Sequence, residues 1–362
     1  MSSLTTAEKI GQLFFIGIAG PELDEQTENL LNTVKPGGVC LFARNIKERQ
    51  QTRDLLDGLR AHLDNPLLSV DQEGGLVDRL RRIMTPMPAA EKITTADDAD
   101  RFGRIVGEAL RIIGFNMDFA PVVDVIDPNR DHFSNGLHSR AFGKSKSDVT
   151  ELAGAFLDAI QHEGIIGCPK HFPGLGASEV DSHKELPTVS ISETELKETD
   201  CYPYKNLVSS GSVKSLMIAH AAYPNVRLQE RDQNGKLLPS SLSPAIISEL
   251  LRGEFGFDGL VVTDDLEMGA IVENYGIGDA CKRAIAAGAD MLAICAGEPA
   301  IREGHKAILA AVESGEITPE RLDRSIERIS SLKTKLAEPL PFDNERLDEL
   351  SNEIVELNRR IN

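Results

Sequence analysis

The sequence predicts an α/β fold, a single (β/α)8 barrel of the TIM type with an added C-terminal helix. Eight short apolar runs recur along the chain, and segments with the spacing of amphipathic helices separate them. Continuous apolar strands that alternate with helices are typical of a parallel sheet covered on both faces. An open, doubly wound sheet is the alternative, but no Gly-x-Gly-x-x-Gly sequence follows the first strand. Eight such units in one domain therefore favour the closed barrel.

The predicted strands are nearly uninterrupted apolar runs, most of which end in a polar or charged residue. The first is a Phe-Phe-Ile-Gly-Ile run, and the third is a Leu-Leu-Ser-Val run followed by an aspartate. Strands that are buried on both faces have this composition, whereas half-exposed strands alternate apolar and polar residues. In chain order, strands are predicted at residues 14–18, 37–44, 67–70, 117–125, 164–168, 215–220, 259–265 and 291–295.

Capping patterns and apolar spacing predict the helices. Thr5 and Glu8 have the spacing of a capping box, and Thr318 precedes Pro319, which is favoured at a first helical position. Other helices are predicted at residues 26–34, 48–63, 97–113 and 148–161, after Ser192, and up to Gly288.

The C-terminal segment is predicted to be a helical extension of the barrel. Pro339 and Pro341 interrupt the chain, so we assign residues 1–340 to the barrel and residues 341–362 to the extension. The spacing of its apolar residues predicts an amphipathic helix over 344–360 that packs against the outside of the barrel. These apolar residues are Leu347, Leu350, Ile354 and Leu357.

Composition and charge exclude several classes of partner. The 362 residues carry a formal net charge of −18, which disfavours binding to nucleic acid and to anionic membranes. The five cysteines include no Cys-x-x-Cys pair, so neither a disulfide framework nor a metal site is predicted. The sequence opens with no signal-peptide pattern, and no apolar stretch approaches the ~20 residues of a membrane span. We expect a cytoplasmic monomer or weak homodimer that needs no cofactor.

Ionisable residues follow most of the predicted strands. In a barrel, residues at the C-terminal ends of the strands converge on one mouth, where active sites lie. A structural protein has no reason to cluster so many titratable groups at one rim. The residues are Arg44, Asp71, Asp124, Lys170, His171, His220, Asp264 and Asp265.

The loop after the fifth strand carries Lys170, His171, Asp181 and His183. Residues two apart in an extended loop face the same way, so Asp181 can orient His183 and raise its basicity. A histidine tuned in this way is a general acid/base. Taken singly, each of these residues could be a solvated loop side chain. Glycines within 172–187 are candidate hinges that would let the loop close over a substrate.

Asp264 follows a buried apolar run and is expected at the floor of a pocket. The alternative is a helix cap, for which Asp265 is the better candidate. A carboxylate opposite a tuned acid indicates glycoside cleavage with retention, through a covalent intermediate. The chain has no tryptophan for stacking, which favours a small, polar pocket for one sugar. Groups suited to sugar hydroxyls are Asp71 as acceptor and Arg140, Lys170 and His171 as donors.

A series of motifs occurs in a fixed order along the chain. They are Asp-Gln-Glu-Gly-Gly at 71–75, Ser-Arg-Ala-Phe-Gly at 139–143, Lys-His-Phe-Pro-Gly at 170–174, Asp-Ser-His at 181–183 and Thr-Asp at 263–264. Together they resemble the β-N-acetylhexosaminidases of glycoside hydrolase family 3, over about residues 5–335.

This resemblance implies a hydrolase that removes terminal β-linked N-acetylglucosamine from a small carbohydrate, as in the recycling of cell-wall muropeptides. It implies that Asp264 is the nucleophile and that Asp181 and His183 form the acid/base dyad. It also implies a set of sugar-binding residues, namely Asp71, Arg140, Lys170, His171 and His220. The sequence departs from the family at Leu76, where related hexosaminidases usually carry arginine, so a cation near the substrate is expected to be absent.

Three other functions remain open at the level of sequence. A metal-dependent barrel hydrolase would be expected to carry a His-x-His pair after the first strand, and none is present. A phosphorylase could use the same site with phosphate in place of water. A sugar-binding protein with an inactive site is disfavoured because Asp181, His183 and Asp264 are all present.

Overall fold

The strands are short and lie within the predicted apolar runs. The computed structural model describes residues 4–130, 135–179 and 186–361. Its strands are β1 (Phe14–Gly17), β2 (Gly38–Leu41), β3 (Leu67–Val70), β4 (Gln72–Gly74), β5 (Val77–Asp78), β6 (Met117–Asp118), β7 (Ile166–Gly167), β8 (Ser215–Ile218), β9 (Leu260–Thr263) and β10 (Leu292–Ile294).

The main sheet is parallel and confirms the predicted α/β class. Its strand order is β10-β1-β2-β3-β6-β7, and β8 and β9 form a separate parallel pair. Single parallel bridges, Phe172 with Ile218 and Val262 with Met291, link this pair to the chain after β7 and before β10. Because all these strands run the same way, their C-terminal ends lie on one side of the molecule, as the clustering of ionisable residues requires.

Two details of the strands differ from the prediction. The run at 117–125 forms only the two-residue strand β6, since Pro121 has no N–H to donate and the chain there returns to the sheet through one bridge at Val122. The antiparallel hairpin of β4 and β5 was not predicted, because its sequence is polar and rich in glycine. The hairpin follows β3 directly and carries part of the site.

The helices whose bounds were predicted begin and end within about two residues of those bounds. The Thr5 hydroxyl accepts the Glu8 N–H, and Thr318 caps the helix that starts at Pro319. The helices are α1 (Thr6–Gln12), α2 (Glu25–Val34), α3 (Arg49–His62), α4 (Ala96–Ile113), α5 (Lys146–His162), α6 (Glu193–Glu195), α7 (Cys201–Ser209), α8 (Gly269–Val272), α9 (Ile277–Ala287), α10 (Glu298–Glu313), α11 (Pro319–Lys333) and α12 (Asn344–Ile361), with π-helical turns at Leu196–Asp200 and Ala245–Glu254. None of these helices is long and apolar enough to cross a membrane.

Helix α12 packs its apolar face against α4. Its inward residues Leu347, Leu350, Ile354 and Leu357 are buried. Ion pairs surround the apolar contact and join α12 to both α3 and α4. They are Arg49–Asp348, Arg101–Glu356, Arg346–Glu108 and Arg360–Asp98. Since exposed ion pairs contribute little, the apolar stripe supplies most of the docking free energy.

We expect Ile354→Ala to destabilise the protein by about 2–5 kcal/mol, because the truncated side chain leaves a cavity under α12. Equilibrium urea unfolding followed by circular dichroism measures the change. The matched control is Asn352→Ala on the exposed face of the same helix, which should alter stability by less than about 0.5 kcal/mol. Equal effects of the two substitutions would contradict the packing described for α12.

Candidate active site

A pocket of about 400 Å³ opens at the C-terminal ends of the strands. Apolar side chains, among them Phe42, Phe119 and Met217, line part of its wall. Its ionisable side chains come from loops after β3, β6, β7 and β9, which the parallel sheet brings together. They are Asp71, Glu73, Arg79, Arg140, Lys170, His171, Asp264 and Asp265.

A buried network of two cations and two carboxylates forms one side of the pocket. The Lys170 ammonium lies 2.6 Å from both Asp71 Oδ1 and Glu73 Oε1. The Arg140 guanidinium donates two hydrogen bonds to Glu73, at 2.7 and 2.9 Å. Glu73 is only 4% exposed, so its charge is stabilised almost wholly by these two partners.

The charges in this network control one another's protonation. Burial alone would raise the pKa of Glu73, but Lys170 and Arg140 lower it from 4.5 to about 2. Burial alone would lower the pKa of Lys170, and the Asp71 and Glu73 carboxylates instead raise it above its ordinary value. Glu73 and Lys170 are therefore ionised at neutral pH, and Asp71 keeps one oxygen that can accept from a ligand.

His171 is held by a carboxylate at the base of the pocket. Its Nδ1 lies 2.7 Å from Asp124 Oδ2, and the other Asp124 oxygen accepts the Leu175 N–H at 2.6 Å. Asp124 is fully buried, so it fixes both the imidazole ring and the start of the loop that follows β7. The Nε2 side of the ring remains for a ligand in the pocket.

Asp264 presents its carboxylate to the pocket from the end of β9. Its backbone N–H donates to the Ile218 carbonyl, and its Oδ1 accepts the Asp265 N–H at 2.8 Å. Burial opposes ionisation, but His171, His220 and the Asp265 N–H lower the pKa of Asp264 below its ordinary value. Asp264 is therefore an ionised carboxylate at neutral pH, as a nucleophile must be.

Asp265 does not cap a helix, so its sequence-based interpretation was wrong. Helix α8 starts at Gly269, and Asp265 Oδ1 instead accepts the N–H groups of Glu267 and Cys295. Burial raises the pKa of Asp265 to about 7, and the neighbouring carboxylates act in the same direction. The side chain closes a short turn that directs Asp264 toward the pocket.

His220 lies behind Asp264 and not in the pocket lining, contrary to its predicted role in binding sugar. It is fully buried; its Nδ1 lies 2.7 Å from Ser241 Oγ and its Nε2 lies 3.0 Å from the Asp265 carbonyl. A carbonyl only accepts, so Nε2 carries the proton and Nδ1 accepts from the Ser241 hydroxyl. Burial lowers the pKa of His220, which leaves it neutral at pH 7. His220 therefore positions the Asp264–Asp265 turn.

The comparisons with known proteins agree with this arrangement. Residues 5–332 match the glycosyl hydrolase family 3 N-terminal domain. The chain belongs to glycosyl hydrolase family 3. It is therefore a glycosidase, and the resemblance that the motifs carry is confirmed.

Named relatives in family 3 cover most of the chain. A β-hexosaminidase of Pseudomonas aeruginosa (strain LESB58) is 36% identical over 85% of this chain and 89% of its own length. A β-hexosaminidase of Tolumonas auensis is 33% identical over 80% of this chain and 85% of its own. The solved family 3 β-N-acetylglucosaminidase of Paenibacillus sp. str. FPU-7 superposes with a TM-score of 0.88 at 33% identity, over 98% of this chain and 69% of that protein.

Of the predicted site residues of this family 3 chain, the structure brings Asp71, Arg140, Lys170, His171 and Asp264 together around the pocket. His220 is placed behind it. The predicted dyad of Asp181 and His183 lies outside the described residues. Within the described residues, no group of three or more His, Cys, Asp or Glu side chains is arranged to hold a metal ion.

Two pocket residues were missed because they lie on the unpredicted hairpin. Glu73 is the buried partner of Lys170, and Arg79 lines the pocket with its guanidinium 5.9 Å from the Phe42 ring. The buried Arg79 Nε has no hydrogen-bond partner in the described parts of the chain. Val77 and Arg79 lie two residues apart and both line the pocket. This alternation is the sequence signal that could have identified Arg79.

Two other residues singled out in the sequence are not among those that line the pocket. Leu76 is 71% exposed at the hairpin turn, and Arg79, three residues later, lines the pocket with a guanidinium. The expectation that position 76 supplies no cation to the substrate stays a prediction. Arg44 was expected at the mouth but donates to the carbonyls of Ile18 and Cys295 and packs on Phe42, which makes it a structural residue.

Glu73→Gln should remove a pH-dependent part of the stability. The lowered pKa means that ionised Glu73 stabilises the folded state above pH ~4.5 and that this contribution is lost as the pH falls toward 2. Urea unfolding between pH 3 and pH 7 should show a wild-type advantage on the order of 3 kcal/mol at pH 7 that shrinks on acidification. The exposed Glu273→Gln is the control, and a difference that is independent of pH would contradict the ionic network.

His220→Ala should lower kcat on a β-N-acetylglucosaminide by roughly 100-fold and change KM by less than about threefold, because misorienting a reacting group costs rate and not binding. Ser241→Ala, which removes only the hydrogen bond to Nδ1, should act in the same direction and more weakly. Steady-state kinetics measures both constants. A raised KM with unchanged kcat would return His220 to the substrate-binding residues.

Proposed function

We propose that the protein hydrolyses terminal β-linked N-acetylglucosamine with retention of configuration. The observation that carries the proposal is the ionised Asp264, which faces a pocket rich in groups that bind hydroxyls. The relatives described above include a β-N-acetylglucosaminidase and two β-hexosaminidases, which supports the same specificity. A pocket of about 400 Å³ suits one sugar together with the start of its leaving group.

The sugar would be held by the buried ionic network and its neighbours. Asp71 accepts from two adjacent hydroxyls through its remaining lone pairs, Lys170 donates its third N–H, and His171, whose Nδ1 faces Asp124, presents Nε2 to a further hydroxyl. Arg140 is oriented by its two bonds to Glu73, which leaves its other N–H groups for the ligand. Arg79 has no carboxylate partner among the described residues and supplies a further donor at the mouth.

In the first chemical step, Asp264 would attack the anomeric carbon while the glycosidic bond breaks. The leaving oxygen takes a proton from His183, whose orientation we assign to Asp181; both residues lie outside the described part of the chain. Water then attacks the glycosyl ester, His183 accepts its proton, and the free carboxylate of Asp264 is restored. His171, Lys170 and the Asp265 N–H stabilise Asp264 as an anion at the start and the end of this cycle.

The architecture and setting of the enzyme form part of the proposal. The single bridges at Phe172 and Val262 support a closed (β/α)8 barrel as the arrangement of the eight parallel strands. The five cysteines are free, which supports a reducing compartment and hence the cytoplasm. Cell-wall muropeptides are the proposed source of substrate, and a monomer or weak homodimer without a cofactor is the proposed form.

Wild-type protein should release p-nitrophenol from its N-acetyl-β-D-glucosaminide much faster than from its β-glucoside. Asp264→Ala should lower kcat by at least about 10⁴-fold, since no carboxylate remains to form the ester. Circular dichroism establishes that the variant is folded. Proton NMR of the product released first should show the β-anomer.

Activity that survives in Asp264→Ala would place the nucleophile elsewhere. Rates that depend on added phosphate, with a sugar 1-phosphate as product, would assign the same site to a phosphorylase. His183→Ala should slow hydrolysis but retain much of the rate on substrates with good leaving groups, because these need little protonation.

A further inference from the structure

Two thiols meet at the floor of the pocket because the residue between them is glycine. Gly17 of β1 pairs with Cys40 of β2, and the register of β1 with β10 sets Cys295 beside Gly17 on the other side. Corresponding positions of neighbouring parallel strands point the same way. Gly17 has no side chain, and a Cβ built there would lie 2.0 Å from the Cys295 carbonyl and 2.9 Å from the Arg44 guanidinium. No side chain of β1 therefore lies between the two cysteines, and the Arg44 guanidinium borders this position.

The Cys40–Cys295 pair is accessible from the pocket but is otherwise buried. Both residues line the cavity, and they are 1% and 4% exposed. The Cys40 side chain and the carboxylates of Asp265 and Asp71 all raise the pKa of the Cys295 thiol, so these groups lie close to it. The other three cysteines are buried and do not line this pocket.

The strand geometry prevents these thiols from forming a disulfide. The two cysteines lie on strands separated by β1, so their Cα atoms are roughly 9–10 Å apart, twice the spacing between adjacent strands. A disulfide requires Cα atoms within ~7 Å of each other. The pair therefore does not close into a disulfide, and both sulfur atoms remain available as soft metal ligands.

We propose that Cys40 and Cys295 form a two-coordinate site for a soft monovalent cation, Cu(I) or Ag(I), at the floor of the active-site pocket. Thiolate ligands select such ions over Mg²⁺, Ca²⁺ and other hard cations. Two metal–sulfur bonds of ~2.3 Å need sulfur atoms roughly 4.6 Å apart, which two thiols that line the same cavity reach through changes in side-chain torsion.

Binding at the pair is a proton exchange without oxidation or reduction. Two S–H bonds break, two S–metal bonds form, and two protons leave to the buffer. The product carries one negative charge. The bound ion would occupy the floor where the pocket ends, so the site gives the enzyme a sensitivity to soft metals that its proposed reaction does not require.

The test is a titration of the folded protein with Ag(I) in chloride-free buffer, followed by isothermal calorimetry and by elemental analysis after desalting. Wild type should bind one Ag(I) per chain, with release of two protons. Cys40→Ser and Cys295→Ser should each weaken binding by at least about 100-fold, because one remaining thiol cannot complete the linear site. Cys281→Ser, a buried cysteine outside the pocket, is the matched control and should bind as wild type does.

Circular dichroism and thermal unfolding of each variant establish that it is folded. Cys40→Ala and Cys295→Ala provide second variants if either serine substitution destabilises the protein. Unchanged affinity in the Cys40 and Cys295 variants would overturn the proposal, as would loss of the tight site in Cys281→Ser. Because the measurement is binding and not turnover, its outcome does not depend on the proposed glycosidase specificity.

Discussion

The active site depends on burying the carboxylate of Glu73 between two cations. An isolated buried charge costs several kcal/mol, so Glu73 is tolerated only while Lys170 and Arg140 both remain in place. These residues come from the hairpin after β3, the loop after β7 and the segment before α5, so their pairing fixes three connections at once. Asp71 shares the Lys170 ammonium and is thereby held at the mouth. The groups that would contact a sugar are thus positioned by charges that the sugar itself need not touch.

The eight parallel strands and most helix ends could be predicted from sequence because their signals are local. Continuous apolar runs mark strands buried on both faces, and side chains such as Thr5 and Thr318 cap their own helices. The hairpin of β4 and β5 could not be found in this way, since its residues are polar and its stability comes from contacts with distant segments, such as the bonds of Glu73 to Arg140. The strand predicted at 117–125 is too long. Its apolar composition predicts a strand throughout, but Pro121 has no N–H to donate to a neighbouring strand.

Position at a strand end identified most of the site but not the direction of each side chain. Asp71, Lys170, His171 and Asp264 face the pocket, whereas Arg44 and His220, also at strand ends, bond to backbone carbonyls around it. The sequence could not distinguish the residues that face the pocket from those that bond to the backbone around it. A shift of one position at the end of a strand is enough to redirect a side chain from one to the other. The Asp264–Asp265 pair shows the same limit, because the pKa values of the two neighbouring aspartates shift in opposite directions. His171 and His220, which come from other segments, lower the pKa of Asp264, whereas burial raises the pKa of Asp265. The family resemblance indicated which function to expect of each site residue, and the tertiary contacts explain how the described ones are oriented and ionised.

The β4–β5 hairpin divides its residues between two separate tasks. Glu73 at its base belongs to the buried ionic network, while Leu76 at its turn is exposed and makes no part of the pocket lining. Substitutions at the turn therefore leave the network intact, and substitutions at the base do not. A change of side chain at the turn alters only the surface beside the pocket, whereas a change at the base leaves two buried cations without their shared carboxylate. One short hairpin thus keeps the residue that carries the buried charge apart from the residue that faces solvent.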